Sequence, residues 1–170
     1  MILAAVSVSG KGLTDACLAE AVALMQARGL SLAGTVQSNP QRADRPRCDM
    51  DVHVLPDGPV LRISEDRGPA ARGCRLDAGV LEAAVAATLD RLDGAELVLV
   101  NKFGKQEAEG RGFVPVIAEA MARGLPVLVG VNPLNHAAFH AFADGLAQDL
   151  PPVPEAIAAW ASSLRRDRAA

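Results

Sequence analysis

An α/β architecture is predicted, with a mostly parallel sheet between two helical layers and an antiparallel hairpin inserted at one edge. Three observations predict it. Short uninterrupted runs of Val, Leu and Ile alternate with longer Ala-rich segments at helical spacing. Such runs suit strands covered on both faces, as parallel strands are. Between residues 38 and 77 the pattern changes, where five prolines and seven arginines accompany two alternating apolar–polar segments.

Residues 2–8, within "MILAAVSVSGK", read as a buried strand. A signal peptide would carry a basic start, a longer apolar stretch and a small-residue cleavage site. "SGKGLTD" is a turn. From residue 13 to 28 apolar side chains recur at helical spacing, and Gly29 stops the helix. "LSLAGTVQ" is a second strand. "CDMDVHVL" and "VLRIS" alternate around the turn "PDGP" and form the hairpin, an insertion over about residues 38–76. Asp77 is placed to cap a helix over 78–92, ended by Gly94. "AELVLV" is a strand, 113–123 a helix stopped by Gly124, and "PVLVGV" a further strand. Asn135 is placed to cap a helix through Ala143, and Pro154 to open one reaching about Arg166, beyond which the tail frays.

With 170 residues and no linker or repeat, one domain over 1–170 is expected. Only 3% of residues are aromatic, so the core must be Ala, Val and Leu. A net charge of -3 gives no global attraction to nucleic acid or an anionic membrane. No run approaches the ~18 apolar residues of a membrane span. Three widely spaced cysteines do not form a disulfide framework, so a reduced, cytoplasmic protein is expected.

Open parallel sheets bind ligands at the carboxyl ends of their strands. Polar chemistry follows three of them, after Val8, Val100 and Val131. "VSVSGKGLTD" lies between a strand and a helix, the setting of a phosphate-binding loop, where glycine N–H groups, a helix N-terminus and a lysine face an anion. Read with Gly10 and Lys11 as the glycine–lysine of G-x-x-x-x-G-K-[ST], the first glycine falls on Ala5 and the metal-binding hydroxyl on Gly12, with Thr14 as a substitute further on. The segment also reads as an ordinary strand–helix turn. "NKFGKQEAEGRGF" reads either as a solvated loop or as a shaped site, and Phe103 with its three glycines favours the site.

"NKFGKQEAEGRGF" and "RGCRLD", with "RCDMDVHVL" and "IAEAMARGLPVLVGV", resemble an uncharacterised bacterial family, domain of unknown function 2478, often encoded beside molybdenum-transport genes. The resemblance covers nearly the whole chain. That family in turn is similar to P-loop nucleoside-triphosphatases first described in thermophilic bacteria. The resemblance implies a three-layer P-loop NTPase-like fold. It places Asn101 and Lys102 where those enzymes carry an Asp-Glu pair, while Gly104, Lys105 and Glu107 match. P-loop hydrolases hold Mg²⁺ through a loop hydroxyl and a strand-end Asp. With Gly12 and Asn101 at those positions, and Lys102 adding positive charge, the site disfavours Mg²⁺ and favours a bare anion.

The expected nucleotide- or anion-binding set is therefore Ser9, Gly10, Lys11, Gly12, Thr14, Arg67, Arg72, Arg75, Asn101, Lys102, Lys105 and Arg111. The arginines of "RGPAARGCR" present forked donors to an oxyanion, or form a solvated basic loop balanced by Glu65, Asp66 and Asp77. Cys48 and Cys74 each adjoin an arginine, which favours thiolate; two small semi-buried side chains are the plainer reading, and Cys17 is core. Asp49 and Asp51 share a strand face and read as solvated. His136 and His140 share a helix face, but Ala137 stands where a zinc-protease helix carries its Glu, and no metal site is expected.

The resulting functional expectation is a nucleotide- or oxyanion-binding protein that does not hydrolyse, linked by its family context to molybdenum transport or cofactor metabolism. The alternative is a nucleoside-triphosphatase using Thr14 with Glu107 or Glu109 in place of the lost ligands. A scaffold for a protein partner, or for a second copy of the chain, is the third reading.

Overall fold

The computed structural model describes residues 1–41, 43, 48–68 and 76–169, with side chains through residue 165. In chain order the elements are β1 Leu3–Val6, α1 Leu13–Ala27, β2 Leu32–Ser38, β3 Asp51–Leu55, β4 Val60–Arg62, α2 Ala78–Leu89, β5 Leu97–Phe103 and α3 Lys105–Ala108. There follow α4 Val114–Ala122, β6 Val127–Val131, a 3₁₀ turn Pro133–Asn135, α5 His136–Ala143, β7 Ala147–Asp149 and α6 Pro154–Ala169.

The described strands form one sheet in the order β4-β3-β2-β5-β6-β1-β7. The pairs from β2 through β7 are parallel. Only β2–β3 and β3–β4 are antiparallel, so the inserted hairpin lies at one edge. The carboxyl ends of β1 and β5 flank that of β6 on one rim of the sheet.

The three layers follow from the period of two along each strand. Leu3, Ala5, Val98, Val100, Val127 and Val129 face a core completed by α2, α4 and α5. Ala4, Val6, Leu97, Leu99 and Leu128 face the opposite core, completed by α1 and α6. Both faces are therefore apolar, which is why the strands read as uninterrupted runs. At Gly34 (φ 112) a Cβ would lie 1.9 Å from the Leu99 carbonyl oxygen, so only glycine lets β2 pair there with β5.

Several boundaries differ from the sequence reading. β1 ends at Val6, not Val8. β5 runs on to Phe103, with an irregularity in its pairing to β6 between Val100 and Phe103. Asn101 and Lys102 therefore belong to the end of the strand itself, and at that irregularity Asn101 is buried while Lys102 is exposed. The short α3 and β7 lack the apolar periodicity by which the longer elements are legible. The expected cap at Asn135 makes no side-chain bond; Asn132 instead accepts from the Leu134 N–H and starts the 3₁₀ turn. Asp77 does cap α2, through the Val80 N–H. α6 continues to Ala169, past the expected end. Among the described residues, no helix is long and apolar enough to cross a membrane.

Candidate functional site

The turn between β1 and α1 leads from a parallel strand into a helix N-terminus, the setting in which phosphate-binding loops occur. Gly12 (φ 75) is the left-handed residue from which α1 starts, and Gly10 (φ 125) also lies where glycine is favoured. The Leu13 N–H reaches back to the Gly10 carbonyl at 3.4 Å. The Thr14 hydroxyl accepts from the Val8 N–H at 3.0 Å and lies 3.3 Å from the Val8 carbonyl, tying the loop to the helix.

This geometry corrects the motif register. The second glycine of the pattern is where the loop enters its helix, and here that residue is Gly12. The lysine position is then Leu13, the hydroxyl position is Thr14, and the first-glycine position is Ser7. Gly12 does not stand in for the hydroxyl, and Lys11 is an exposed turn residue preceding the helix.

Behind the loop lies a polar network that the sequence reading missed. Asp15, 9% exposed in the first turn of α1, accepts from Asn101 Nδ2 at 2.8 Å and from Asn39 Nδ2 at 2.7 Å. Asn101, 3% exposed, accepts at its own Oδ1 from the Gln37 N–H at 3.0 Å. Gln37 Nε2 closes the circuit onto Asn39 Oδ1 at 2.8 Å. Asn39 and Asn101 each donate with the nitrogen and accept with the oxygen, so each oxygen of the buried carboxylate receives an amide donor. The available signals were an acid three residues beyond Gly12 and the polar "QSN" ending the strand next to β5.

The loop after β5 is held by Glu107. Its Oε2 accepts from the Gly104 N–H at 2.9 Å and its Oε1 from the Phe113 N–H at 3.0 Å. A carboxylate 5% exposed and bonded twice to backbone fixes the loop. Glu107, a candidate catalytic acid by sequence, thus has both of its oxygens engaged by backbone N–H groups of its own loop. Glu109, the other candidate, pairs on the surface with Arg111 and, at 3.7 Å, with Lys105. Phe103, before the loop, packs edge-on against Phe139 of α5 at 5.2 Å and 77°.

Two clefts meet at Asn101 and Lys102. The smaller, about 110 Å³, lies over the turn and takes in Gly10, Lys11, Gly12, Thr14 and Asp15, with Asn132 and Pro133 opposite. The larger, about 310 Å³, lies between the hairpin and the β5 loop. Met50, Val52, Ile63, Leu76, Leu81 and Phe113 supply its apolar wall, and Gln37, Lys105, Gln106 and Arg111 are polar residues of its lining. Lys105 therefore belongs to the larger cleft rather than to the turn. Ser9 is exposed on the turn and lines neither cleft.

Arg67 also lines neither cleft; it pairs with Glu65 on the surface. Arg72, Arg75 and Cys74 lie outside the described residues. Asp49 and Asp51 are not simply solvated, because Arg62 bridges both, at 3.0 Å and 2.9 Å. That guanidinium holds the Asp51 carboxyl below its ordinary value, chiefly through the hydrogen bond. Cys17 is buried, and desolvation raises its thiol, disfavouring reactivity.

Known proteins share this architecture. A crystal structure of THEP1 from the hyperthermophile Aquifex aeolicus superposes with a TM-score of 0.63 at 14% identity, over 91% of each chain. The fold is thus that of a P-loop NTPase-like protein. A relative named Molybdenum import ATP-binding protein ModC 2, from Bradyrhizobium diazoefficiens, is 33% identical over 147 residues. Those residues are 86% of this chain and 16% of the relative, so this chain spans only a small part of that protein's length. The family described as Protein of unknown function (DUF2478) matches residues 3–160, and the chain belongs to that family.

Proposed function

We propose that the protein binds a nucleotide, or a related ring compound bearing an oxyanion, across the two clefts and does not turn it over efficiently. The observation that carries this reading is the bond between Asn101 and Asp15 beneath Lys102. Mg²⁺ needs near-octahedral oxygen ligands. At the strand end the ligand atom is an amide, and the nearby carboxylate is committed to two amide donors. Lys11 and Lys102 line the same cleft and together outweigh Asp15, so the cleft attracts an anion without attracting a dication. A catalytic glutamate is not supplied by Glu107, whose oxygens hold the backbone.

The larger cleft favours a ligand with a ring over a bare oxyanion. Its volume is at the small end of the range of about 300–1,000 Å³ for small-molecule sites, and its wall is apolar. A nucleoside or a phosphorylated pterin would place its ring there and its phosphate over the turn. The name of the bacterial relative supports a link to molybdenum handling, as does the gene neighbourhood that the resemblance implies. The odd number and wide spacing of the three cysteines in the sequence support a cytoplasmic setting.

The test is a thermal-shift series with ATP, GTP, a phosphorylated pterin and molybdate, each with and without Mg²⁺. A ring-bearing anion should raise the melting temperature without Mg²⁺. At a hundredfold excess over the dissociation constant, the gain is about 2.7 kcal/mol. Sustained Mg²⁺-dependent turnover in the ordinary enzyme range, about 1–1,000 per second, would overturn the reading.

A further inference from the structure

We propose that His136, His140 and Asp149 form a binding site for one divalent cation of the zinc class, on the face of α5 that meets the edge strand β7. The two histidines are one helical turn apart, so their rings share a face; their centroids are 4.4 Å apart. Asp149 reaches the same point from β7. Its Oδ1 is 3.4 Å from His136 Nε2 and 3.3 Å from His140 Nε2.

Those distances suit a shared metal. Zinc bonds of about 2.0–2.1 Å in tetrahedral geometry put neighbouring ligand atoms about 3.3–3.4 Å apart. The three donor atoms already lie within 4.8 Å of one another, so only a small rotation of the histidines is needed to close the set. All three groups are partly exposed, which leaves the remaining positions to water.

The supports are rigid and carry no rival cation. Phe139, between the two histidines, is fully buried and anchors α5 on Phe103. Asp149 is fixed in register opposite Ala5 of β1, and the next residue, Leu150, donates its N–H to the Ala5 carbonyl at 2.8 Å. No Lys or Arg occurs from residue 124 to residue 164, so neither element, nor the chain joining them, offers an ammonium or guanidinium to Asp149. As a bare ion pair, an exposed carboxylate between two imidazoles gains little; as a ligand set, two imidazoles and a carboxylate match zinc-class ions and not Mg²⁺. The sequence hid the site because its third ligand comes from a different element, nine residues after His140.

The test is calorimetric titration of the tag-free, chelator-treated full chain with Zn²⁺, and with Mg²⁺ as control. One equivalent of Zn²⁺ should bind, and Mg²⁺ should not compete. His140→Ala and Asp149→Asn should each weaken Zn²⁺ by more than about tenfold, with the metal-free melting temperature unchanged. A Cys48→Ser/Cys74→Ser variant should keep the full equivalent. Should His140→Ala fail to fold, His136→Gln and Asp149→Asn carry the same comparison. No stoichiometric Zn²⁺ uptake, or uptake unaffected by the histidine and aspartate changes, overturns the proposal. Failure here leaves the cleft reading intact, because none of the three ligands lines either cleft.

Discussion

The Asn101 amide donates to the Asp15 carboxylate over 2.8 Å, joining the end of β5 to the first turn of α1. In a hydrolase of this fold the strand-end side chain would be an acid and the helix would offer hydroxyls. Here acid and neutral group have exchanged places. The acid sits on the helix, where the macrodipole favours it, and two amides donate to it.

Asn101→Asp should therefore destabilise the protein. It replaces the donor with a second buried carboxylate facing the first. Losing a hydrogen bond to a charged group costs about 1.5–3 kcal/mol, and like charges add to that. One of the two carboxyls must then hold a proton more tightly in the folded state than in the unfolded one. Lowering the pH toward that raised pKa should shrink the deficit relative to the parent. Denaturant midpoints of both proteins at pH 7 and pH 5 check the size and the sign.

Glu107→Ala should lower stability without a catalytic signature. It orphans the buried Phe113 N–H, at a cost of about 1–3 kcal/mol, and the half-buried Gly104 N–H, which water can partly satisfy. Glu107→Gln keeps an oxygen acceptor and should cost less. If both variants melt like the parent, the carboxylate does not hold the loop.

Arg62→Met should make the hairpin less sensitive to acid. The arginine lowers the Asp51 carboxyl in the folded state. A depressed folded pKa gives stability that is full above the unfolded value, near 3.9, and that is lost as pH falls through the folded value. The parent should thus be more stable than the variant at neutral pH, and the gap should narrow in acid. A gap that widens in acid would show that Asp51 is not the coupled group.

The layers, the hairpin edge and the cleft-bearing strand ends were legible because they rest on periodicity. "LVLV" and "VLVGV" have no polar face, so they must be covered on both sides. The roles of Asp15, Gln37 and Asn39 were not legible, because their partners are far apart in sequence and are brought together only by the β2–β5 pairing and the packing of α1. The motif register failed for a local reason. Glycines at 10 and 12 flank Lys11 and offer two alignments, and only the helix start at Leu13 separates them. Glu107 stood out because the resemblance matches it to a glutamate of the triphosphatases, and its two backbone partners were invisible in the sequence.

The corrected register yields the sharpest test of the cleft. Leu13→Lys with Asp15→Thr and Asn101→Asp would put a lysine at the helix entry, a second hydroxyl in the first turn and an acid at the strand end. The carboxylate is moved rather than removed, so the net change is the one positive charge of the lysine. The buried acid pair of the single Asn101→Asp variant is avoided, since the threonine replacing Asp15 is uncharged. A threonine in place of Gly12 would not serve, because Gly12 has φ 75 and any side chain there is strained. At ~4 Å and an effective dielectric near 20, one unit-charge attraction is worth about 4 kcal/mol; after solvent screening, even a third of that is about tenfold in affinity. The added lysine should therefore let the triple variant bind a non-hydrolysable nucleotide, in the presence of Mg²⁺, at least tenfold more tightly than the parent, read by calorimetric titration of the nucleotide into each protein. A well-folded triple variant with unchanged affinity would mean that the turn at residues 7–14 does not hold phosphate, and the nucleotide would then have to lie wholly within the larger cleft.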